Sequence, residues 1–141
     1  MKDVLIEIKG TQGLDDDTEV IEFTTFGQYA IKNGKQYIFY NESENLDNAK
    51  TVVKADGSDN VSINRSGSIE SKILIRKGVR SKCYYSTLQG QLMLGIFGEN
   101  IINNLNDDGG NLSFSYTIDV ENGLLSRNTV DIAIREVKQD V

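Results

Sequence analysis

Apolar and polar residues alternate with a period of two along much of the chain. Leu112, Phe114, Tyr116, Ile118 and Val120 are interleaved with Ser113, Ser115, Thr117 and Asp119, and Val130, Ile132 and Ile134 with Asp131 and Ala133. That period gives a strand one dry face and one wet face. Turn signals separate the runs at short intervals: Asn33-Gly34, Asp56-Gly57, Ser66-Gly67, Lys77-Gly78, Gln89-Gly90, Asp108-Gly109-Gly110 and Asn122-Gly123. The pattern predicts strands over 2–9, 18–31, 35–44, 49–55, 60–65, 69–76, 79–87, 91–105, 111–121 and 124–137. Over 100–106 a helical turn is the alternative, since Ile101 and Leu105 are four apart. Tyr37 to Tyr40 and Leu92 to Phe97 are apolar at both parities, which predicts cover on both faces. With almost no helix to cover a sheet, consecutive antiparallel strands must curl into a barrel or fold into a sandwich. Closure removes exposed edges, and hairpin-linked neighbours favour an up-and-down barrel of about 8–10 strands. The expectation is therefore an all-β fold, one barrel domain over residues 1–141.

Composition narrows the chemistry. The 141 residues contain no His, Pro or Trp and a single Cys. Imidazole acid–base catalysis, His metal ligation and internal disulfides are thereby excluded, and no thiolate zinc site can form. Residues 1–10 have neither the apolar run of a signal peptide nor a transit-peptide pattern, so a cytoplasmic location is expected, without membrane association. The formal net charge of −6 opposes binding to nucleic acid. The charge is uneven: Arg65, Lys72, Arg76, Lys77, Arg80 and Lys82 face the single acid Glu70 within 65–82, whereas the first 22 residues are acidic. Basic strands beside acidic ones on a solvated surface account for this simply. Alternatively, Lys72, Arg76, Arg80 and Lys82 form an interaction face for a protein partner, on a hairpin over 69–82.

Polar residues whose parity places them inside a barrel are the informative ones. Arg65 shares a parity with Val61 and Ile63, Glu42 with Ile38 and Tyr40, Asn128 with Val130 and Ile132, and Lys54 with Val52. Two accounts follow. In one, Arg65 pairs with a carboxylate such as Glu42 and the set is a structural network. In the other, Arg65 and Lys54 anchor the anionic group of a small, partly apolar ligand, with Glu42, Asn128, Tyr40 and Tyr85 at the lumen or its mouth. Tyr37, Phe39 and Tyr116 are further aromatic candidates on mixed parities. Cys83 reads as a small buried hydrophobe. Asp15-Asp16-Asp17 and Asn106-Asp107-Asp108 lack the ligand spacing of an EF-hand and read as turns, so no metal site or cofactor is expected. Glu and Asp are abundant, but no catalytic pair is singled out and no nucleophile has an activating base, so no enzymatic activity is expected.

The order of several short segments resembles the YwiB-like family of small bacterial proteins. They are Tyr37-Ile38-Phe39-Tyr40-Asn41-Glu42, Thr51-Val52-Val53-Lys54, Ile63-Asn64-Arg65-Ser66-Gly67, Thr87-Leu88-Gln89-Gly90 with Leu92-Met93-Leu94, Phe114-Ser115-Tyr116-Thr117-Ile118 and Ser126-Arg127-Asn128. The resemblance implies a calycin-type, lipocalin-like β-barrel and implies no reaction. Together with the parity argument it predicts a non-catalytic barrel that binds a small ligand. The alternative is a protein-interaction module using the basic hairpin.

Overall fold

A computed structural model describes residues 1–14, 17–42, 49–67, 70–87, 90–120 and 123–137. Ten strands are formed among the described residues: β1 (Lys2–Leu14), β2 (Asp17–Lys32), β3 (Lys35–Glu42), β4 (Ala49–Asp56), β5 (Asn60–Ser66), β6 (Ser71–Arg76), β7 (Arg80–Thr87), β8 (Gly90–Asn106), β9 (Gly109–Val120) and β10 (Gly123–Glu136). Each pairs antiparallel with its chain neighbours, and β1 pairs with β10 to close the barrel. This is the expected up-and-down topology. Over 100–106 the strand prevails over the helical turn: after a bulge between Gly98 and Asn100, β8 stays paired with β9 as far as Asn106↔Gly109.

The dry parities of β1, β5, β9 and β10 converge on one core. Val4, Ile6, Ile38, Val61, Ile75, Ile96, Leu112, Phe114 and Ile132 are all buried. Cover on both faces, expected for Tyr37 to Tyr40 and Leu92 to Phe97, is not found. Ile38, Tyr40, Leu94 and Ile96 point inward, while outside Tyr37 stacks on Phe39 at 6.2 Å and Met93 and Phe97 remain exposed. A closed barrel buries one face of each strand, so outward apolar residues stay at the surface.

The two ends of the barrel differ. At the lower end the turns are tight; Asn33 and Gly34 both adopt positive φ, as a two-residue hairpin turn requires. There the β8–β9 hairpin leans across the lumen. Asn103 donates to Gln36 Oε1 (3.0 Å) and to the Gly57 carbonyl (2.9 Å), the Tyr29 hydroxyl donates to the Asn106 carbonyl (2.9 Å), and Lys2 Nζ donates to the Asp107 carbonyl (2.7 Å). These bonds tie the β8–β9 hairpin to β1, β2, β3 and the turn after β4 at the lower end. At the upper end the strands are joined by segments outside the described residues.

The wall is uneven. β1 and β2 are in register from Lys2↔Tyr29 to Leu14↔Asp17, but β2 and β3 pair only from Gly27↔Tyr40 to Lys32↔Lys35. Between β6 and β7 the register holds at Ser71↔Tyr85, and an isolated bridge joins Arg76 to Val79 below it. The Lys77–Val79 turn is tied instead to β8: Gly78 N–H donates to the Gly98 carbonyl at 2.8 Å.

Candidate functional site

Strand register brings a polar ring together on the inner wall near the upper end. Tyr40, Thr51, Arg65 and Ser71 are successive cross-strand neighbours on β3, β4, β5 and β6. On the other side of the lumen Asn128 of β10 is paired with Tyr116 of β9, and the Asn128 amide donates to Ser126 Oγ at 3.0 Å. Thr51, Ser126, Asn128, Tyr116 and Tyr40 are buried, and Arg65 and Cys83 are half-buried. The sides are in electrostatic contact. Burial pushes the Tyr116 phenol up, an effect the Arg65 guanidinium opposes and Cys83 reinforces. Burial alone raises the Cys83 thiol, which keeps it neutral and poorly nucleophilic.

Two buried hydroxyls in the barrel wall, Thr51 Oγ1 and Ser81 Oγ, have no hydrogen-bond partner among the described residues. A buried hydroxyl left in that state costs about 1–3 kcal/mol. Thr51 stands in register with Arg65, which sets the two side chains side by side on the inner wall.

An apolar wall adjoins the ring. Phe23 of β2 meets Tyr40 with ring centroids 6.1 Å apart, and Val130 and Ile118 stand partly buried on the inner parity. Gly10, on the inward parity of β1, is paired with Ile21 on one side and Val130 on the other. A Cβ added at Gly10 would meet nothing within 4 Å. One side of the upper lumen is thus polar and the other apolar, with open space at Gly10.

Not every expected site residue is here. Arg65, Asn128 and Tyr40 stand on the inward parity of their strands near the upper end. Glu42 and Tyr85 occupy positions at that end, but their side chains lie outside the described residues. Lys54 is corrected: its ammonium lies over the outer Tyr37 ring, 5.7 Å from the centroid, with Val52 on the same outer face. β4 turns Thr51, Val53 and Ala55 inward instead. In the basic set, Lys72, Arg76 and Lys82 are outward and exposed, whereas Arg80 is engaged by Asp119 through Nη2 (2.6 Å) and Nε (3.0 Å). Gly95 leaves the space in which that guanidinium lies. Pattern reading missed Thr51, Ser126, Ser81 and Gly10. Ser126 was within reach, being two residues from Asn128, but Thr51 becomes visible only once β4 is in register with β5.

An outer groove of about 780 Å³ lies over β1, β2, β9 and β10, lined by Glu7, Lys9, Glu22, Ser113 and Asp131 among others. Its groups answer one another: Lys9 pairs with Glu22 at 3.9 Å and Ser113 donates to Asp131 at 2.7 Å. It therefore makes a weaker case for a ligand than the lumen.

Fold and inner wall together define a small closed β-barrel with a polar upper lumen. The chain belongs to the family described as a domain of unknown function, DUF1934, which matches residues 6–132. It is 30% identical over 117 residues to the uncharacterised β-barrel protein YwiB of Bacillus subtilis (strain 168), an alignment covering 83% of this chain and 82% of that protein. The crystal structure of YwiB superposes with a TM-score of 0.85 at 26% identity, covering 97% of this chain and 93% of that one.

Proposed function

We propose that the barrel is a non-catalytic binding protein that holds a small, partly apolar anion in its upper lumen, a calycin-like use of the fold. The observation that carries this reading is the polar ring itself. Arg65, Thr51, Tyr116 and Asn128 stand on the inner wall near the upper end, whereas the lower half of the interior is packed mainly by aliphatic side chains such as Val4, Ile6, Ile38, Val61, Ile75 and Leu112. Enclosing the Thr51 hydroxyl, which has no hydrogen-bond partner among the described residues, costs stability that a bound carboxylate or phosphate oxygen would restore. The anionic group lies between Arg65 and Thr51, and the apolar part lies along Phe23 and Val130 in the space beside Gly10. A Cys83 thiol whose pKa burial raises, in a sequence with no histidine to serve as its base, suits binding better than reaction. The same reading carries a cytoplasmic location, which suits an unpaired cysteine.

Thermal-shift titration tests it with carboxylates from hexanoate to dodecanoate, aryl phosphates, and neutral alcohols of equal chain length. Anions should raise the melting temperature, alcohols should not, and Arg65→Met should abolish the response. No shift with any anion, or equal shifts in the Arg65→Met protein, would contradict the proposal.

A second reading uses the outward cations Lys72, Arg76 and Lys82 as a protein-binding face; Arg80 contributes less because Asp119 engages it. Pull-down with a Lys72/Arg76/Lys82 charge-reversed variant separates the two, since lumen binding should survive that change.

A further inference from the structure

We propose that the upper part of β2, residues 17–26, is a docking edge that accepts an extended, cationic segment of a partner protein as an added strand. β2 is bonded to β1 along this whole stretch, yet its register with β3 stops at Gly27↔Tyr40. Among the described residues no strand lies against the other side of 17–26. A strand in this position presents a row of main-chain donors and acceptors to whatever approaches. Its side chains are also uncovered: Val20 is 54% exposed, Ile21 57% and Phe26 71%. Both parities are therefore accessible beside the edge, so an incoming strand can bury apolar side chains on either face while its backbone pairs with β2.

Charge selects the occupant. Residues 17–26 contain Asp17, Glu19 and Glu22 and no Lys or Arg, and the edge has none of the lysines or prolines that usually blunt such strands. A second copy paired edge to edge would bring two sets of three carboxylates together in a protein already at −6. A segment alternating Lys or Arg with β-branched residues sets its cations beside Asp17 and Glu19 on one face and its apolar residues beside Val20 and Phe26 on the other, the face that also carries Glu22, which Lys9 engages at 3.9 Å. The acids thus oppose self-association and favour a basic strand.

The test uses the intact protein and a fluorescent peptide alternating Lys and Val. One control alternates Lys and Gly, keeping the charge without the strand preference, and another alternates Glu and Val. Anisotropy should show the Lys–Val peptide binding at least about tenfold more tightly than either control. Amide shifts in ¹⁵N spectra should concentrate on 17–26. The Glu19→Lys/Glu22→Lys double variant should weaken binding about tenfold, and Val20→Lys, a substitution at an exposed position, gives a second probe if the double variant folds poorly. Arg65→Met should leave peptide binding unchanged, which separates this site from the lumen. Equal binding of the Lys–Gly peptide, shifts centred elsewhere, or indifference to both variants would overturn the proposal. So would sedimentation of the protein alone as a dimer that Val20→Lys dissociates, because the edge would then belong to a second copy.

Discussion

Replacing Thr51 by Val removes an enclosed hydroxyl that has no hydrogen-bond partner among the described residues and leaves a side chain of nearly the same shape. The ligand-free protein should gain about 1 kcal/mol in chemical denaturation, because a desolvated donor disappears. Anion binding should weaken in the same variant. A loss of stability with unchanged binding would show that the hydroxyl has a structural partner. Tyr29 makes the opposite case at the lower end. Its hydroxyl donates to the Asn106 carbonyl, and burial, reinforced by Asp107, pushes its pKa up to about 12. The folded state favours the neutral phenol, so this contribution is intact below about pH 10, the value in an unfolded chain, and is lost as pH rises through about 12. Tyr29→Phe should cost about 1 kcal/mol at neutral pH and flatten that alkaline decline in denaturation midpoints. Single residues also mark how far parity carries. Arg65, Tyr40 and Asn128 were legible because each shares its parity with an unbroken apolar set. Lys54 was not, because β4 is apolar at both Val52 and Val53 and alternation cannot say which of the two faces inward.

At the scale of elements, the least secured contact is between β6 and β7. Register survives at Ser71↔Tyr85, and the turn below is fastened to β8 rather than within its own hairpin. Amides on the facing edges of 72–75 and 81–84 should therefore exchange with deuterium well before those of the fully paired β1–β2 ribbon. Equal protection of the two regions would mean that the facing edges are bonded after all. Gly98 is where the turn is fastened: a methyl there would collide with the Arg76 carbonyl, a backbone group that cannot swing aside. Gly98→Ala should destabilise the protein by about 1–3 kcal/mol and accelerate exchange across β6 and β7 first. The ten strands were legible from turn residues and alternation. The partial pairing of β2 with β3 and of β6 with β7 was not, because alternation specifies a strand's faces and leaves its neighbours' lengths open.

For the whole molecule, one end is crossed by the hydrogen bonds of Asn103, Gln36 and Tyr29 and the other is lined by Arg65, Thr51, Tyr116 and Asn128. Consecutive hairpins made the barrel readable from sequence, whereas the asymmetry of its ends depends on cross-barrel bonds that no local pattern announces. That asymmetry is the basis for assigning a binding role. Native mass spectrometry of the protein with decanoate tests it most directly, comparing wild type with Arg65→Met and Gly10→Leu, the second placing bulk where an added Cβ meets nothing within 4 Å. The account predicts a one-to-one adduct on the wild type that both variants lose while remaining folded. Absence of any adduct, or an adduct retained equally by all three, would contradict a ligand site in the upper lumen.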